Sequence, residues 1–323
     1  MSVRRAPGPG GTRRRFLAHW ARRLASGAAA LLLAASASAA KLGVSMASFD
    51  DRWLTGLRVA MQARATEGGI AIQFQDAQED IGKQLSQIQN FVSQGVTAMI
   101  VNPVDTAATP RITREALAAG IPLVYVNRKP NEATLPRNVV FVGSDDHEAG
   151  WLQGEAIAKL LGGKGSVAIM LGELSNSGTA MRTAGVEEAV KRNPGMKIVQ
   201  KQAANWQRIE GMNLMSNWIV AGTRIDAIAS NNDEMAIGAI MALKQAGRDP
   251  AKMVIAGVDG SADALAEMAK GDLAVTVFQD AGAQGRAAVD SALALARGQR
   301  VDSYVWIPFQ LVTRDNYRSF RSR

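Results

Sequence analysis

From residue 41 onward the chain alternates two patterns. Short runs of consecutive apolar residues are separated by longer stretches in which apolar residues recur every three or four positions. The runs are Leu42–Ser45, Val96–Val101, Leu123–Val126, Val139–Val142, Ser166–Leu171, Lys197–Val199, Asp226–Ser230, Met253–Val258 and Leu273–Phe278. Most are continuous, as strands buried on both faces should be. The stretches between them predict amphipathic helices. Ile81, Leu85, Ile88 and Val92 share one helical face before Gly95; Ile112, Ala116 and Ala119 share one before Gly120; Ile209, Met212, Met215 and Ile219 share one before Gly222. Asp233–Ala246 reads as a further helix, closed by Gly247. Strand–helix alternation of this kind predicts an α/β fold with parallel sheets. About ten strands divide better into two sheets than into one.

The first forty residues follow neither pattern. They hold seven arginines and no acidic residue, then an apolar run, Ala28–Ala35, then small residues, Ser36–Ala40. A basic start, a short apolar run and an A-x-A-like end describe an export signal, cleaved near Ala40. Thr12-Arg13-Arg14-Arg15-Phe16-Leu17 also resembles the twin-arginine motif. The run is too short for a membrane span, which needs about 20 apolar residues. A lipid anchor would need a cysteine at the cleavage site, and the chain has none. The expected mature chain is therefore exported, most simply to a periplasm, with no stable membrane insertion.

This segment also explains the charge. The 323 residues carry a formal net charge of +8, which suggests a nucleic-acid binder. Without the seven leading arginines, 30 basic residues face 29 acidic ones. The remainder is nearly neutral, so bulk attraction to nucleic acid or to an anionic membrane is not expected. Apolar residues at 47% and charged residues at 20% fit a globular chain. With no cysteine there is no disulfide framework and no thiolate metal site.

In open α/β sheets, ligands bind beyond the carboxyl ends of the strands. The residues just after the apolar runs are Phe49-Asp50-Asp51-Arg52-Trp53, Asn102-Pro103, Asn127-Arg128, Trp206 after a short loop, Asn231-Asn232-Asp233, Asp259-Gly260 and Gln279. Asn and Gln both donate and accept, Asp accepts, and Arg donates in a planar fork. Trp53 and Trp206 add flat apolar faces. This set suits a polyol, with hydroxyls around its rim and C–H groups on its faces. Each residue also has a plainer reading. Asp50 or Asp51 serves equally as a helix cap, Asn102-Pro103 is a natural turn, and Asp233 reads as the cap of its helix with Asn232 free for a ligand. Trp53 and Trp206 also suit half-buried packing, and Arg182 could pair with Glu187 in a solvated helix. The matching chemistry of strand ends in both halves of the chain favours binding.

Four segments then carry a family resemblance: Val101-Asn102-Pro103-Val104-Asp105, Asn205-Trp206-Gln207-Arg208-Ile209-Glu210-Gly211, Asn231-Asn232-Asp233-Glu234-Met235-Ala236-Ile237-Gly238-Ala239 and Gly257-Val258-Asp259-Gly260. From Lys41 to about Val312 the chain resembles the periplasmic sugar-binding proteins of the ribose-binding type, which serve ABC importers. The resemblance implies two Rossmann-like domains with parallel sheets, joined by a three-crossover hinge. It implies an N-terminal lobe of residues 41–144 plus 280–308 and a C-terminal lobe of 145–279 plus 309–323. Val142–Asp145 and Phe278–Ala281 are then the candidate hinges.

The positions that match ligand contacts are Asn102, Arg128, Arg182, Trp206, Asn232, Asp259 and Gln279. Ser45, Asp50, Asp51 and Trp53 lie in the family's first ligand loop. Where the family usually has Asp-Arg, this chain has Asn127-Arg128; where the first loop usually offers Asn and paired Phe, it has Phe49-Asp50-Asp51-Arg52-Trp53. Ser45-Met46-Ala47-Ser48-Phe49-Asp50-Asp51 and Val126-Asn127-Arg128 look more like the branch that binds inositol and related cyclitols. The implied partners are a small sugar or cyclitol and an ABC transporter permease. A monomer without cofactor or metal is expected.

Rival classes fare worse. His147, the one histidine after residue 40, fits a surface or hinge position better than a catalytic base. No G-x-S-x-G or H-E-x-x-H occurs, and Gly162-Gly163-Lys164-Gly165-Ser166 lacks P-loop spacing. Asp50 or Asp51 with Asp259 forms a glycosidase-like carboxylate pair on paper only. A sugar-responsive repressor would need a DNA-binding head where this chain has an export signal. A sensor subunit for a membrane receptor would share the same pocket.

Overall fold

The computed structural model describes residues 1–4 and 40–320, so the expected export signal falls almost wholly outside the described residues. Residues 1–4 carry no regular structure, and residues 40–320 belong to one compact unit.

The first sheet contains β1 (Lys41–Met46), β2 (Ala71–Asp76), β3 (Ala98–Val101), β4 (Leu123–Val126), β5 (Val139–Gly143) and β11 (Tyr304–Trp306). Its order is β11-β5-β4-β3-β1-β2, and every pairing is parallel. The second sheet contains β6 (Lys164–Leu171), β7 (Gly195–Ala203), β8 (Ala227–Ser230), β9 (Val254–Ala256), β10 (Val275–Phe278) and β12 (Gln310–Thr313). Its order is β12-β10-β9-β8-β6-β7, and only β10–β12 is antiparallel among the described strands. The chain therefore passes between the sheets three times: between β5 and β6, between β10 and β11, and between β11 and β12.

Nine helices fill the crossovers among the described residues: α1 (Arg52–Glu67), α2 (Ile81–Ser93), α3 (Thr109–Ala118), α4 (Asp146–Leu160), α5 (Ser177–Arg192), α6 (Arg208–Val220), α7 (Asp233–Gln245), α8 (Ala262–Lys270) and α9 (Ala281–Ala296). They cover both faces of each sheet, which is why the strands read as unbroken apolar runs. In β6, Val167 and Ile169 pack with Ile157 of α4 and Val186 of α5, while Ala168 and Met170 pack with Leu214 and Trp218 of α6 and Ile240 of α7. In the first sheet, Leu42, Val44 and Met46 face α1 and α9, while Met99, Val101 and Tyr125 face α2 and α3.

Three strands break the expected pattern. β2 is a half-exposed edge strand in which Gln73 and Gln75 interrupt the apolar residues. β11 and β12 are edge strands of three and four residues. Two helices are turned a little from the expected face: Leu85, Ile88 and Val92, and Met212, Met215 and Ile219, pack on the cores as expected, but the most buried residues lie beside them. α2 buries Gln84, Gln87, Ile88 and Phe91 and leaves Ile81 exposed, because its two glutamines bond to the ends of the first sheet's strands. α6 buries Gly211, Leu214, Met215 and Trp218 and leaves Ile209 exposed. There glycine sets the contact: a Cβ on Gly211 would crowd the Met235 backbone, and one on Gly238 would overlap the Arg208 carbonyl.

The α4–α5 pair is built the same way. A Cβ at Gly150 would overlap the Arg182 carbonyl, and one at Gly185 would overlap backbone atoms of His147 and Trp151. Backbone cannot yield as a flexible side chain does. Gly150→Ala is therefore expected to cost about 2–3 kcal/mol and to lower the melting temperature by roughly 5–10 °C. Thermal denaturation checks this; an unchanged melting temperature would mean that the helices can separate freely.

Candidate functional site

The carboxyl ends of both sets of strands meet at one gap. A cavity there is lined by Asp51, Trp53, Leu54, Asn127, Arg128, Asp146, Asn176, Gly178, Arg182, Trp206, Asn232, Asp259 and Gln279. It holds about 430 Å³ not filled by atoms, its open mouth included.

From the first sheet come Asp51, Trp53, Asn127 and Arg128. Asp51 caps α1, accepting from the Leu54 amide at 2.8 Å. Trp53 donates its indole N–H to the Gln279 carbonyl at 3.3 Å, beside the crossover after β10. Asn127 sits at φ +66°, which turns the chain sharply off β4. Arg128 is buried, with Nη1 donating to the carbonyls of Pro103 at 3.1 Å and Val104 at 3.2 Å, and both terminal nitrogens donating to Glu79 at 3.3 Å.

Asn102 and Ser45 do not line the cavity. Both are fully buried in a polar layer beneath it. Asn102 accepts from the Ala47 amide at 3.3 Å and donates to the Val126 carbonyl at 3.2 Å and to Asn127 Oδ1 at 3.3 Å. The Ser45 hydroxyl donates to Gln87 Oε1 at 2.7 Å and accepts from Gln84 Nε2 at 3.2 Å. Asp50 is exposed and lies in the wider groove outside the cavity, not in the cavity itself.

From the second sheet come Asp146, Arg182, Trp206, Asn232 and Asp259, with Gln279 beyond β10. Arg182 is not in a solvated helix face and does not pair with Glu187. It is buried, because the glycine contact of α4 with α5 draws its helix close. Its Nε donates to Asp146 Oδ1 at 2.8 Å, Nη1 to the Asn231 carbonyl at 2.8 Å and Nη2 to Gln279 Oε1 at 3.0 Å. The guanidinium lies 5.7 Å from the Trp206 ring and 5.8 Å from the Phe309 ring. Trp206, at φ +65°, packs on Gly172, where any side chain would strike its ring.

The cap of α7 is Asn232, not Asp233: Asn232 Oδ1 accepts from the Met235 amide at 3.0 Å, and its Nδ2 donates to the Trp206 carbonyl at 3.1 Å. Asp233 instead turns inward, accepting from the Thr276 hydroxyl and the Ser261 amide, both at 2.7 Å. Asp259, at φ +128°, faces the cavity 3.8 Å from Arg182 Nη1.

Burial dominates the electrostatics. It pushes Asp259 well above the usual carboxylate range; nearby Asp233 pushes the same way, and Arg182 opposes. Burial also pushes Asp233 up, to about 7, against the hydrogen bonds it accepts from Thr276 and Ser261. Burial also raises Asp146, against the attraction of Arg182. Beside Arg128, burial pushes Glu173 up to about 7, opposed by Arg128 and, more weakly, by the Trp206 indole. That indole N–H is buried and makes no full hydrogen bond among the described residues.

Asp146, Asn176 and Gly178 were not expected at the site. Asp146 and Asn176 follow no apolar run directly, and only the closeness of α4 to α5 brings them in. Asn176 caps α5 at Gly178. The chemistry offered is a ring of acceptors and donors from two sheets with two indoles, Trp53 and Trp206, in its wall. Among the described residues no cluster of His, Asp or Glu could hold a metal ion.

A family model for the periplasmic binding protein domain matches residues 42–300. The chain belongs to the periplasmic binding protein family. Other members give its nearer likenesses. It is 50% identical over 300 residues to a putative rhizopine-binding protein of Rhizobium meliloti, covering 92% of this chain and 97% of that one. It superposes with a TM-score of 0.85 and 39% identity on an ABC transporter solute-binding protein from Bacillus halodurans C-125 with bound myo-inositol, covering 89% and 99% of the two chains. A Caulobacter myo-inositol-binding protein bound to myo-inositol gives a TM-score of 0.83 at 27% identity, covering 89% and 97%. The chain is a periplasmic binding protein with the type I fold.

Proposed function

We propose that this protein captures a cyclitol of the myo-inositol kind, with ribose-type sugars next in preference, by closing two lobes around it, and delivers it to an ABC importer permease. The observation that carries this is the convergence of polar side chains from both sheets on one gap. Asp51, Asn127 and Arg128 stand on one side; Arg182, Asn232 and Asp259 stand on the other, with Trp206 as the flat wall. Carboxylates accept from neighbouring hydroxyls, which suits a ring with a hydroxyl on every carbon. Relatives that bind or hold myo-inositol support the same ligand class.

The lobes are residues 41–144 plus 280–308 and residues 145–279 plus 309–323, the last three lying outside the described residues. Ligand touching both lobes binds the closed arrangement better and shifts the population toward it. Ser45 and Asn102 act beneath the cavity by holding the β1 and β4 ends in place, and Asp50 acts at its mouth. The protein works as a monomer, by binding alone and without catalysing a reaction. It acts in the periplasm after removal of the leading segment. Among the described residues no helix is long and apolar enough to cross a membrane.

A thermal-shift screen followed by calorimetry tests the ligand class. With myo-inositol at a hundred times its Kd, mass action adds about 2.7 kcal/mol, or roughly 5–10 °C. Ribose, galactose and xylose are expected to give smaller shifts. A larger shift with any of these three than with myo-inositol or its stereoisomers would overturn the cyclitol assignment.

A further inference from the structure

One buried arginine–glutamate contact links the two sheets and is not needed to explain ligand contact. Arg128, on the first sheet's side, has a side chain only 4% exposed. Besides Glu79 it meets Glu173 Oε2 at 3.4 Å. Glu173 belongs to the segment that joins β6 to α5, on the second sheet's side. That Oε2 is buried and has no hydrogen-bond partner among the described residues, so the charge contact with Arg128 is what it meets. The same segment makes three further bonds to the first sheet's side. The Ser175 carbonyl accepts from the Thr106 amide at 3.3 Å and from the Thr106 hydroxyl at 3.2 Å, and the Ser177 hydroxyl donates to the Lys129 carbonyl at 3.0 Å. Residues 172–178 also supply Gly172 beneath Trp206 and Asn176 and Gly178 in the cavity wall. This segment is therefore both part of the binding wall and fastened across the gap.

We propose that Glu173 is a positioning residue: it reaches from the second lobe to clasp the Arg128 guanidinium when the lobes close on a ligand. The proposal rests on the closure reading above and adds a residue and a pH response that ligand contact alone does not supply. The charged groups facing Glu173 are Arg128 beyond β4, Glu79 beyond β2 and Asp51 at the start of α1; the Trp206 indole faces it from the segment before α6. With the lobes apart, Glu173 meets water and titrates in the ordinary glutamate range. With the lobes closed, burial pushes it up to about 7. Closure therefore takes up a proton. The stabilisation linked to that proton is present at low pH and is lost as pH rises through about 7.

Calorimetric titration with myo-inositol at pH 6 and pH 8, on wild type, Glu173→Gln and Glu173→Ala, tests this. The ratio of Kd at pH 8 to Kd at pH 6 is expected to be about tenfold larger in wild type than in Glu173→Gln. Comparing ratios cancels Asp233 and Asp259, which both proteins retain. Glu173→Ala, which leaves Arg128 without a partner across the gap, is expected to bind roughly threefold or more weaker than Glu173→Gln at both pH values. Equal ratios in wild type and Glu173→Gln, or an alanine variant as tight as the glutamine one, would overturn the clasp. Absence of myo-inositol binding would count against the cyclitol reading instead, and the clasp is then read without ligand. Small-angle scattering should show wild type, but not Glu173→Gln, contracting from pH 8 to pH 6, and unchanged dimensions in wild type would overturn it.

Discussion

Arg182→Ala should abolish useful binding and destabilise the empty protein at the same time. The guanidinium joins three places that the chain brings together from afar: Asp146 at the start of α4, the Asn231 carbonyl at the end of β8, and Gln279 beyond β10. Asp146 follows the first passage between the sheets and Gln279 begins the second, so Arg182 ties both. Removing it leaves Asp146 buried and uncompensated, and it leaves Gln279 Oε1 without its donor. Loss of one partner of a buried pair costs about 3–5 kcal/mol, on the order of 10 °C in melting temperature for a chain of this size. The lost ligand contact adds about 1.5–3 kcal/mol, ten- to a hundredfold in Kd. Thermal denaturation and calorimetry read the two effects separately. Wild-type affinity in this variant would remove Arg182 from the site.

Asp259→Asn should move stability and affinity in opposite directions. Burial and Asp233 hold the Asp259 carboxyl well above its ordinary range. For a group raised in this way, stability is present while it stays protonated and is lost as pH rises through the raised value. Asparagine keeps the shape and never ionises. The unliganded variant should therefore melt at or above the wild-type temperature at pH 8, with the difference shrinking as pH falls toward the ordinary aspartate range. Binding should weaken by about ten- to a hundredfold, because the amide offers ligand hydroxyls one acceptor oxygen where the carboxyl offers two. A variant that melts below wild type at pH 8 would mean that Asp259 is ionised and held by Arg182, contrary to the burial argument. Natural binding sites often carry this trade, in which an uncomfortable buried polar group is kept for its ligand.

Much of this was legible in the sequence, for identifiable reasons. Strands covered on both faces, such as β6 and β8, must be apolar throughout, and their runs stand out. The polar residues that follow them are conspicuous by contrast, which exposed Asn127, Arg128, Asn232 and Asp259. What stayed hidden depended on packing. Edge strands such as β2 answer to water on one face and blend with helix patterns. Gln84 and Gln87 read as solvent-facing, yet they bond beneath the β1 and β3 ends, and no periodicity marks a buried glutamine. Asp146 reaches the cavity because Gly150 and Gly185 let two helices touch, a contact between positions far apart in the chain. The assignment of the α7 cap to Asp233 failed for a local reason: two adjacent residues could both cap, and the geometry that turned Asp233 toward Thr276 lies in another strand.

The central claim is that one ring polyol touches both lobes at once. A crystal structure of the protein grown with saturating myo-inositol tests it most directly. The ring is expected against Trp206, with hydroxyls bonded to Asp51 or Arg128 on one side and to Arg182, Asn232 and Asp259 on the other. A ring seated on a single lobe, or bound away from this gap, would contradict it.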